Sequence, residues 1–527
     1  MIKPSSVRLL FWSLCLAAIT ITGFKAVPVR NQLFTKESIA IDSSMDPKNM
    51  VSRTVHLKPD TSNLIRNPMT GWAIYATAGT KGNFWTRFDQ MSVPSLQKNV
   101  RASDYANILY IRLGWSDFEP TEGNYAWEHE SIVKMLIDGA EQRGLKLAFR
   151  INVDSRDKSA QCTPLYVQQA GAKGFTSRSG EKVLWSPYPD DVIFQQKYEK
   201  FLKAFAAKFN NPDKVDFIDG YGLGKWGESH SVLYLDQSHR GKVFDWITSL
   251  YLRYFTKVPL AINYHRLIGT PGEWGNPDMG SKQLLDHAFS KGFMLRHDAF
   301  GMTDYYKEFE KNIAAQWFPE RPVIAEGGWL HNGKDSYLKD SRGFKNWGQV
   351  WKGEYDDAVE AHVNVMDLRG YADASSWFET SYPLIEKFIA IGGYRLYPDQ
   401  ISLPIVVKSK SRIRITHRWN NLGIGMCPTN LPQWHQKYKV AFALLDKKNL
   451  VVKSVFVDYK TDLSKWLKGS PTSYSFNPAI GYIAPGGYVW AVAIVDTTQG
   501  NKKGINLAVS KKTTRDGWLP LLAVTVQ

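Results

Sequence analysis

Cysteine is scarce, with 3 in 527 residues, so no disulfide framework holds this chain and its stability has to come from a core. Past the N-terminal segment only Cys162 and Cys427 remain, enough for one bridge at most. No run of eighteen apolar residues occurs beyond the first thirty positions, which excludes a polytopic membrane protein. Metal-ligand spacing is missing too. His230, His265, His297 and His331 are scattered, there is no HExxH helix or paired-Cys site, and Asp298 and Asp304 lack an EF-hand around them, so no metal is expected. No Gly-x-Ser-x-Gly elbow and no Gly-rich phosphate loop follow a strand, and no cofactor is implied. Acidic residues are outnumbered, 50 against 66 Lys and Arg, for a net charge of +16. The excess is spread out, with only short tracts such as 408–414, unlike the dense footprint of a nucleic-acid binder. A broad positive field suits an acidic glycan or an anionic cell surface instead.

What is present is the composition of a folded protein, 43% hydrophobic and 22% charged, with 13% aromatics. Lys3 and Arg8 precede the apolar run Leu9 to Thr22, and Gly23, Ala26 and Pro28 follow it. That layout predicts a secretory signal over 1–26, with an uncleaved anchor as the alternative, and a secreted, periplasmic or cell-surface location. Cys15 has no small residue just before it, so lipidation is not expected. Residues 27–62 are polar and predict a linker or an edge strand.

From 63 to 397, short apolar runs alternate with helix-period segments, the pattern of repeated βα units around a parallel sheet. The expected strands are Gly71 to Tyr75, Ile108 to Leu113, Lys146 to Asn152, Phe217 to Leu223, Pro259 to Asn263, Phe293 to Asp298, Pro322 to Glu326 and Ala372 to Trp377. Helical spacing falls at Ile132 to Arg143, Val192 to Phe209, Val243 to Thr256, Tyr305 to Gln316 and Tyr355 to Leu368. Eight strands predict an α/β fold of the (β/α)8, or TIM barrel, type; a doubly wound open sheet is the alternative. From 398 to 527 the rhythm becomes strand and turn, which predicts a C-terminal all-β sandwich domain.

Barrel enzymes carry their chemistry at the C-terminal ends of the strands. Glu228 closes Tyr221-Gly-Leu-Gly-Lys-Trp-Gly-Glu beyond the fourth strand, and Glu326 closes Pro322-Val-Ile-Ala-Glu at the end of the seventh, followed by Gly327-Gly328-Trp329. A helix cap or an arginine partner would account for either alone. Together they stand on opposite sides of a barrel mouth, the arrangement by which two carboxyls hydrolyse a glycosidic bond.

The stretch Glu119-Pro120-Thr121-Glu122-Gly123-Asn124-Tyr125-Ala126-Trp127 after strand two resembles the EP-x-EG-x-Y-x-W segment of clan A glycoside hydrolases, including β-galactosidase-like barrels. With Trp226-Gly227-Glu228 and Val323-Ile324-Ala325-Glu326 it extends the resemblance over the barrel, and the whole chain resembles a group of secreted bacterial barrel-plus-sandwich proteins. The resemblance implies that Glu228 is the acid/base and Glu326 the nucleophile. Many clan members have Asn directly before the acid/base, bonded to the sugar 2-hydroxyl; here that position is Gly227, and Asn152 or Asn263 would have to replace it. Trp377 is expected to end strand eight as a sugar-stacking plate, as is common in the clan.

Several further residues are candidates for substrate binding or tuning. Arg150 and Arg112 compete as donors that would keep Glu326 ionised. Trp72, Trp115, Trp185, Trp226 and Trp329 lie near strand ends and could stack on sugar faces, core packing being the alternative for each. Tyr264, His265, Asp298, Asp304 and Tyr305 follow strands five and six and would bind hydroxyls or tune Glu326. The loops Asp154 to Tyr188 and Arg266 to Gly292 would set specificity. The sequence therefore predicts a secreted glycoside hydrolase, retaining in mechanism, cleaving a poly- or oligosaccharide that is acidic or neutral. The alternative is a glycan-binding or surface protein on the same barrel without turnover.

Overall fold

Eight parallel strands close on themselves in chain order in the computed structural model, which describes residues 51–331 and 336–527. They are β1 Gly71–Thr77, β2 Ala106–Gly114, β3 Lys146–Asn152, β4 Val215–Asp219, β5 Leu260–Asn263, β6 Met294–Phe300, β7 Val323–Gly327 and β8 Val363–Asp367, and β8 pairs with β1. The expected signal over 1–26 lies outside the described residues, as does 27–50 of the expected linker. Among the described residues no helix is long and apolar enough to cross a membrane.

Alternation with period two builds the barrel. Trp72, Ile74 and Ala76 of β1, with Leu109, Ile111 and Leu113 of β2, join the cluster that packs under the helices. The intervening Ala73, Tyr75, Ile108 and Tyr110 belong to a different cluster, shared with Ala148, Phe217, Ala261, Met294, Ile324 and Val365 from the other strands. The lower barrel interior is therefore apolar. Farther up the inward face come charged residues, and these make the site.

The helix Val192–Phe209 shows how the outer layer forms. Its buried residues Phe194, Tyr198, Phe201, Leu202, Phe205 and Phe209 recur at helical spacing, and the Asp191 side chain caps its first turn by accepting from the Phe194 N–H at 2.9 Å. That face meets Trp115, Trp127 and Phe149.

The last βα unit differs from the sequence expectation. The helix expected over Tyr355 to Leu368 is Trp347–Glu360, and β8 follows it at Val363–Asp367. Ala372 to Trp377 is no strand but part of the helix Tyr371–Thr380, whose Ala374, Trp377 and Phe378 are buried at helical spacing. Trp377 thus stands behind the barrel, stacked on Trp351 at 4.9 Å and edge-on to Trp72 at 5.3 Å. Strand four is also shorter than expected. It stops at Asp219, because Gly222 and Gly224 turn the chain away with φ of +69° and +79°. A Cβ at Gly224 would run into the His230 carbonyl, so only glycine permits that approach.

The C-terminal strands form two sheets. Ser52–His56, Leu396–Pro404, Ile415–Asn421 and Thr472–Phe476 make one, so residues ahead of the barrel supply an edge strand to the sheet beyond it. The other is six-stranded and centred on Tyr438–Asp446 and Gly486–Asp496. Val440, Phe442, Leu444, Val492 and Ile494 share a core with Ile401, Leu403, Ile415 and Trp419 of the first sheet, while Ala441, Ala443, Ala491 and Ala493 face the opposite way with Trp518. The same core runs on into the apolar lower barrel. Asn364, buried at the join, donates to the Met69 and Met426 carbonyls at 2.9 and 2.7 Å and accepts from the Met426 N–H at 3.1 Å. Cys162 and Cys427 are both free and buried, so the one bridge the sequence allowed is not formed.

Trp377→Ala should cost about 3–5 kcal/mol of stability by opening a cavity behind the barrel. Urea denaturation reads that loss, and glycan affinity should be unchanged in the folded variant because the ring does not reach the mouth.

Candidate active site

Charged residues fill the upper barrel from almost every strand: Arg112 on β2, Arg150 on β3, Asp219 on β4, Arg296 and Asp298 on β6, Glu326 on β7 and Asp367 on β8, all buried. Glu228 and Arg369 join them from the loops after β4 and β8. Burying an unpaired charge is costly, and all of this set but Asp367 are ion-paired, Asp367 accepting from the Gly327 N–H at 3.1 Å.

Glu326 is the most heavily contacted carboxylate. Its Oε1 accepts from Arg112 Nη1 at 2.7 Å, Arg369 Nη1 at 2.6 Å and the Tyr75 hydroxyl at 3.1 Å, and its Oε2 from Arg296. Burial alone would raise its pKa, but the Arg112, Arg369 and Arg296 guanidiniums and a bond from Asp298 hold it well below the usual carboxylate range. Glu326 is an ionised carboxylate at any physiological pH.

Glu228 sits nine positions after Asp219 ends β4, on a loop bent tightly enough to put Trp226, Ser229 and Ser231 at positive φ. Arg112 ties this loop to the barrel, donating to the Trp226 carbonyl from Nε at 3.1 Å and again from Nη2, which also binds Glu228. The other Glu228 oxygen lies 3.4 Å from His230 Nε2. Against the upward push of burial, Arg112 and His230 lower its pKa to about 2.

Arg112 therefore bridges the two glutamates. Carboxylate oxygens of Glu228, Asp298 and Glu326 all lie within 4.8 Å of one another. Asp298 carries the opposite shift: burial, then the nearby negative charges of Glu326 and Glu228, raise its pKa well above the usual value despite Arg150 and Arg296. Of the three carboxyls, Asp298 is thus the one whose protonated form its surroundings favour. Below it Arg150 binds Asp219 Oδ2 through Nε at 2.7 Å and Asp298 Oδ2 through Nη2 at 2.7 Å. Three clustered carboxyls could ligate a metal ion, but four guanidiniums already supply the positive charge such an ion would bring, and we assign no metal there.

A cleft of about 530 Å³ opens above the trio, with Arg112, Trp226, Glu228, Glu326, Trp329 and Arg369 among its walls. Sequence-derived candidates divide around it. Arg112 is the donor to Glu326; Arg150 is not, being engaged with Asp219 and Asp298 at the foot of the site. Trp226 and Trp329 line the cleft, whereas Trp72, Trp115, Trp185 and Trp377 are core residues. Trp115, the first residue of the short helix Trp115–Phe118 beyond β2, donates to Glu119 Oε2 at 2.9 Å and packs on Tyr198 and Phe201. Tyr264 likewise faces away from the cleft, against His297 at 4.9 Å. His265 and Asp304 border a neighbouring cavity of about 340 Å³, and Tyr305 lines both spaces.

The two asparagines have different places. Asn263 is spent on the scaffold, donating to the Glu228 carbonyl and accepting from the Asp298 N–H at 3.2 Å. Asn152 explains Gly227: a Cβ at Gly227, whose φ is +73°, would come within 2.5 Å of Asn152 Oδ1. The amide of Asn152 fills the space a side chain at 227 would need, and that oxygen is buried without a hydrogen-bond partner.

Tyr75, Arg296, Arg369, Asp219 and Lys158 were not singled out by the sequence reading. For Arg296 a signal was present, since an arginine inside the buried run Met294-Leu295-Arg296-His297 has to be paired in the interior. Lys158 lies in the cleft wall without an ion-pair partner among the described residues, and burial with the Arg112 charge lowers its pKa to about 8.

No family model and no curated protein matches the chain. Among solved structures, it is similar to the catalytic domain of β-amylase from Paenibacillus polymyxa, at 10% identity over 62% of this chain and 98% of that one with a TM-score of 0.40. An endogalactoceramidase aligns at 11% identity over 74% and 94% with a TM-score of 0.36. Endo-glycoceramidase II from Rhodococcus sp. aligns at 12% over 80% and 99%, also at 0.36. Likeness at this level says nothing of substrate or mechanism, and the functional reading rests on the site.

Arg112→Gln should destabilise the protein by about 3–5 kcal/mol at neutral pH, because two buried carboxylates lose their shared partner. Pairing stabilises an ionised carboxylate above its unfolded pKa of about 4, so the deficit should shrink as pH falls through that range. Thermal melts of both proteins at neutral and acid pH measure it.

Proposed function

We propose that the protein is a glycoside hydrolase that cleaves a poly- or oligosaccharide with retention of configuration, Glu326 acting as nucleophile and Glu228 as acid/base. The observation that carries this reading is the proximity of the two carboxyls, within 4.8 Å at their nearest oxygens, across a cleft walled by Trp226 and Trp329. Retention requires carboxyls about 5–5.5 Å apart; inversion needs about 6.5–9.5 Å to admit a water between them.

The electrostatics divide the labour. Glu326, ionised and oriented by three guanidiniums and Tyr75, attacks the anomeric carbon while Glu228 delivers a proton to the leaving oxygen. The three carboxyls lie close enough to titrate as a unit, and Asp298, whose protonated form its surroundings favour, is the group that would supply the proton. Once Glu326 is esterified its negative charge is gone, Arg112 is left to Glu228 alone, and Glu228 is held ionised as the base that activates water. The basic chain and the unpaired Lys158 favour a substrate bearing acidic groups, and the N-terminal segment favours action outside the cytoplasm.

One feature favours the second reading, a glycan-binding protein without turnover: Arg112 clamps Glu228, whose pKa of about 2 is far from that of a working acid.

Aryl glycosides and neutral and acidic polysaccharides, offered to wild type and to Glu326→Ala with and without azide, separate the two. Turnover lost in the variant and restored by azide as a glycosyl azide of inverted configuration is the expected result. Binding by wild type with no cleavage of any bound glycan would leave the second reading. For the active enzyme, kcat/KM should hold up to a pH above the ordinary carboxylate range and then fall as the trio loses its proton. Asp298→Asn should move that fall toward acid by about one pH unit or more, a shift that loss of a merely structural contact would not produce.

A further inference from the structure

Two more cavities adjoin the cleft, one on either side. The 340 Å³ space lies between the loops after β5 and β6, and Tyr305 belongs to its wall and to that of the central cleft. A third space, about 150 Å³, lies among the loops after β1, β2 and β3, and Lys158 belongs both to it and to the cleft. The two shared residues stand above β3 and β6, three strands apart in a barrel of eight. The three spaces therefore lie side by side across the mouth, with Glu228 and Glu326 in the wall of the middle one.

The flanks are furnished for a sugar chain. On the β5–β6 side Trp274 is 57% exposed, unusual for so large an apolar ring, and its centroid is 4.3 Å from that of Tyr305. The pair forms a supported aromatic surface of the kind on which the CH-rich face of a pyranose stacks, with Asp304 and Lys307 beside it to engage hydroxyls. On the β1–β3 side the wall holds Asn152 and Lys158, the ammonium of Lys158 having no ion-pair partner among the described residues. One end offers an aromatic plate, the other a cation.

We propose that these three spaces are one groove that holds an internal stretch of a linear glycan, with sugar units on both sides of the glutamate pair and the Trp274–Tyr305 plate binding one flank. A site that trims chain ends needs a wall beyond one side of the reacting bond; here there is space on both. Taken with the hydrolase reading above, on which this consequence rests, the groove makes the enzyme cut within chains.

The probes are hexasaccharides and matching disaccharides of β-1,4-glucan, β-1,4-mannan, β-1,4-xylan, β-1,3-glucan and α-1,4-galacturonan, titrated calorimetrically into full-length Glu228→Gln. At least one hexasaccharide should bind about tenfold or more tightly than its disaccharide, and adding Trp274→Ala should remove about tenfold from the hexasaccharide's affinity, the worth of one stacking contact. Tyr482→Ala, another exposed aromatic at 75% but remote from the barrel mouth in sequence and sheet, controls for nonspecific stacking and should change nothing. Wild type given the bound hexasaccharide should release di-, tri- and tetrasaccharides before any monosaccharide. Hexasaccharides that bind no better than disaccharides or not at all, affinity untouched by Trp274→Ala, or a monosaccharide as first product would each overturn the groove. Trp274-dependent hexasaccharide binding without cleavage would keep the groove and overturn only the hydrolase reading.

Discussion

The Arg112 guanidinium joins Glu228 to Glu326, and most of the upper barrel is arranged around that junction. A bidentate guanidinium is planar and rigid, so it fixes the distance between its two carboxylates as well as neutralising them. Through the Trp226 carbonyl the same group holds the β4 loop in place. Were Lys in this position, one point charge could satisfy a glutamate or the carbonyl but not hold all three in register.

Around Arg112 the charges are layered. Asp219, Arg150, Arg296 and Asp298 form a set at the foot of the site, and Arg296 links it to Glu326, which stands above with Arg369 and Tyr75. Arg112, Arg150 and Arg296 each contact more than one carboxyl, which helps to offset desolvation. The excess of carboxyls over guanidiniums favours protonation: burial and the adjacent Glu326 charge raise Asp298 well above its usual value and push Asp367 to about 7. The same imbalance that favours a proton places it beside the carboxylates that would use it.

The lower barrel makes the upper one affordable to build. Below the charges the inward residues are apolar and continue into the sandwich core, so the closed end of the barrel is sealed and dry while the other end opens to solvent. The strand Ser52–His56 and the Asn364 amide fasten the two parts together. At the mouth the inward face meets a cavity, and there the β4 loop is strained and the arginines are crowded, the local departures from folding rules that accompany function.

The sequence by itself determined the fold class, because period-two and period-3.6 patterns report which face of each element is buried, and seven of the eight barrel strands were visible that way. It misplaced β8, where a helical spacing ran on from Glu360 into Val363–Asp367 and where Trp377 sits on a helix rather than a strand. Glu326 and Arg112 were visible as candidates in strand runs, and Glu228 in the glycine-rich run beyond β4. Only the tertiary structure decided that Arg150 serves Asp298 rather than Glu326, that Asn152 occupies the space Gly227 leaves, and that Trp115 is core while Trp274 is surface. The physical reason is that burial patterns are written along the chain, within a few residues of one another. Ion pairs inside a barrel join strands dozens of residues apart, and which partner a guanidinium meets depends on the register and closure of the sheet, to which local sequence periodicity is blind.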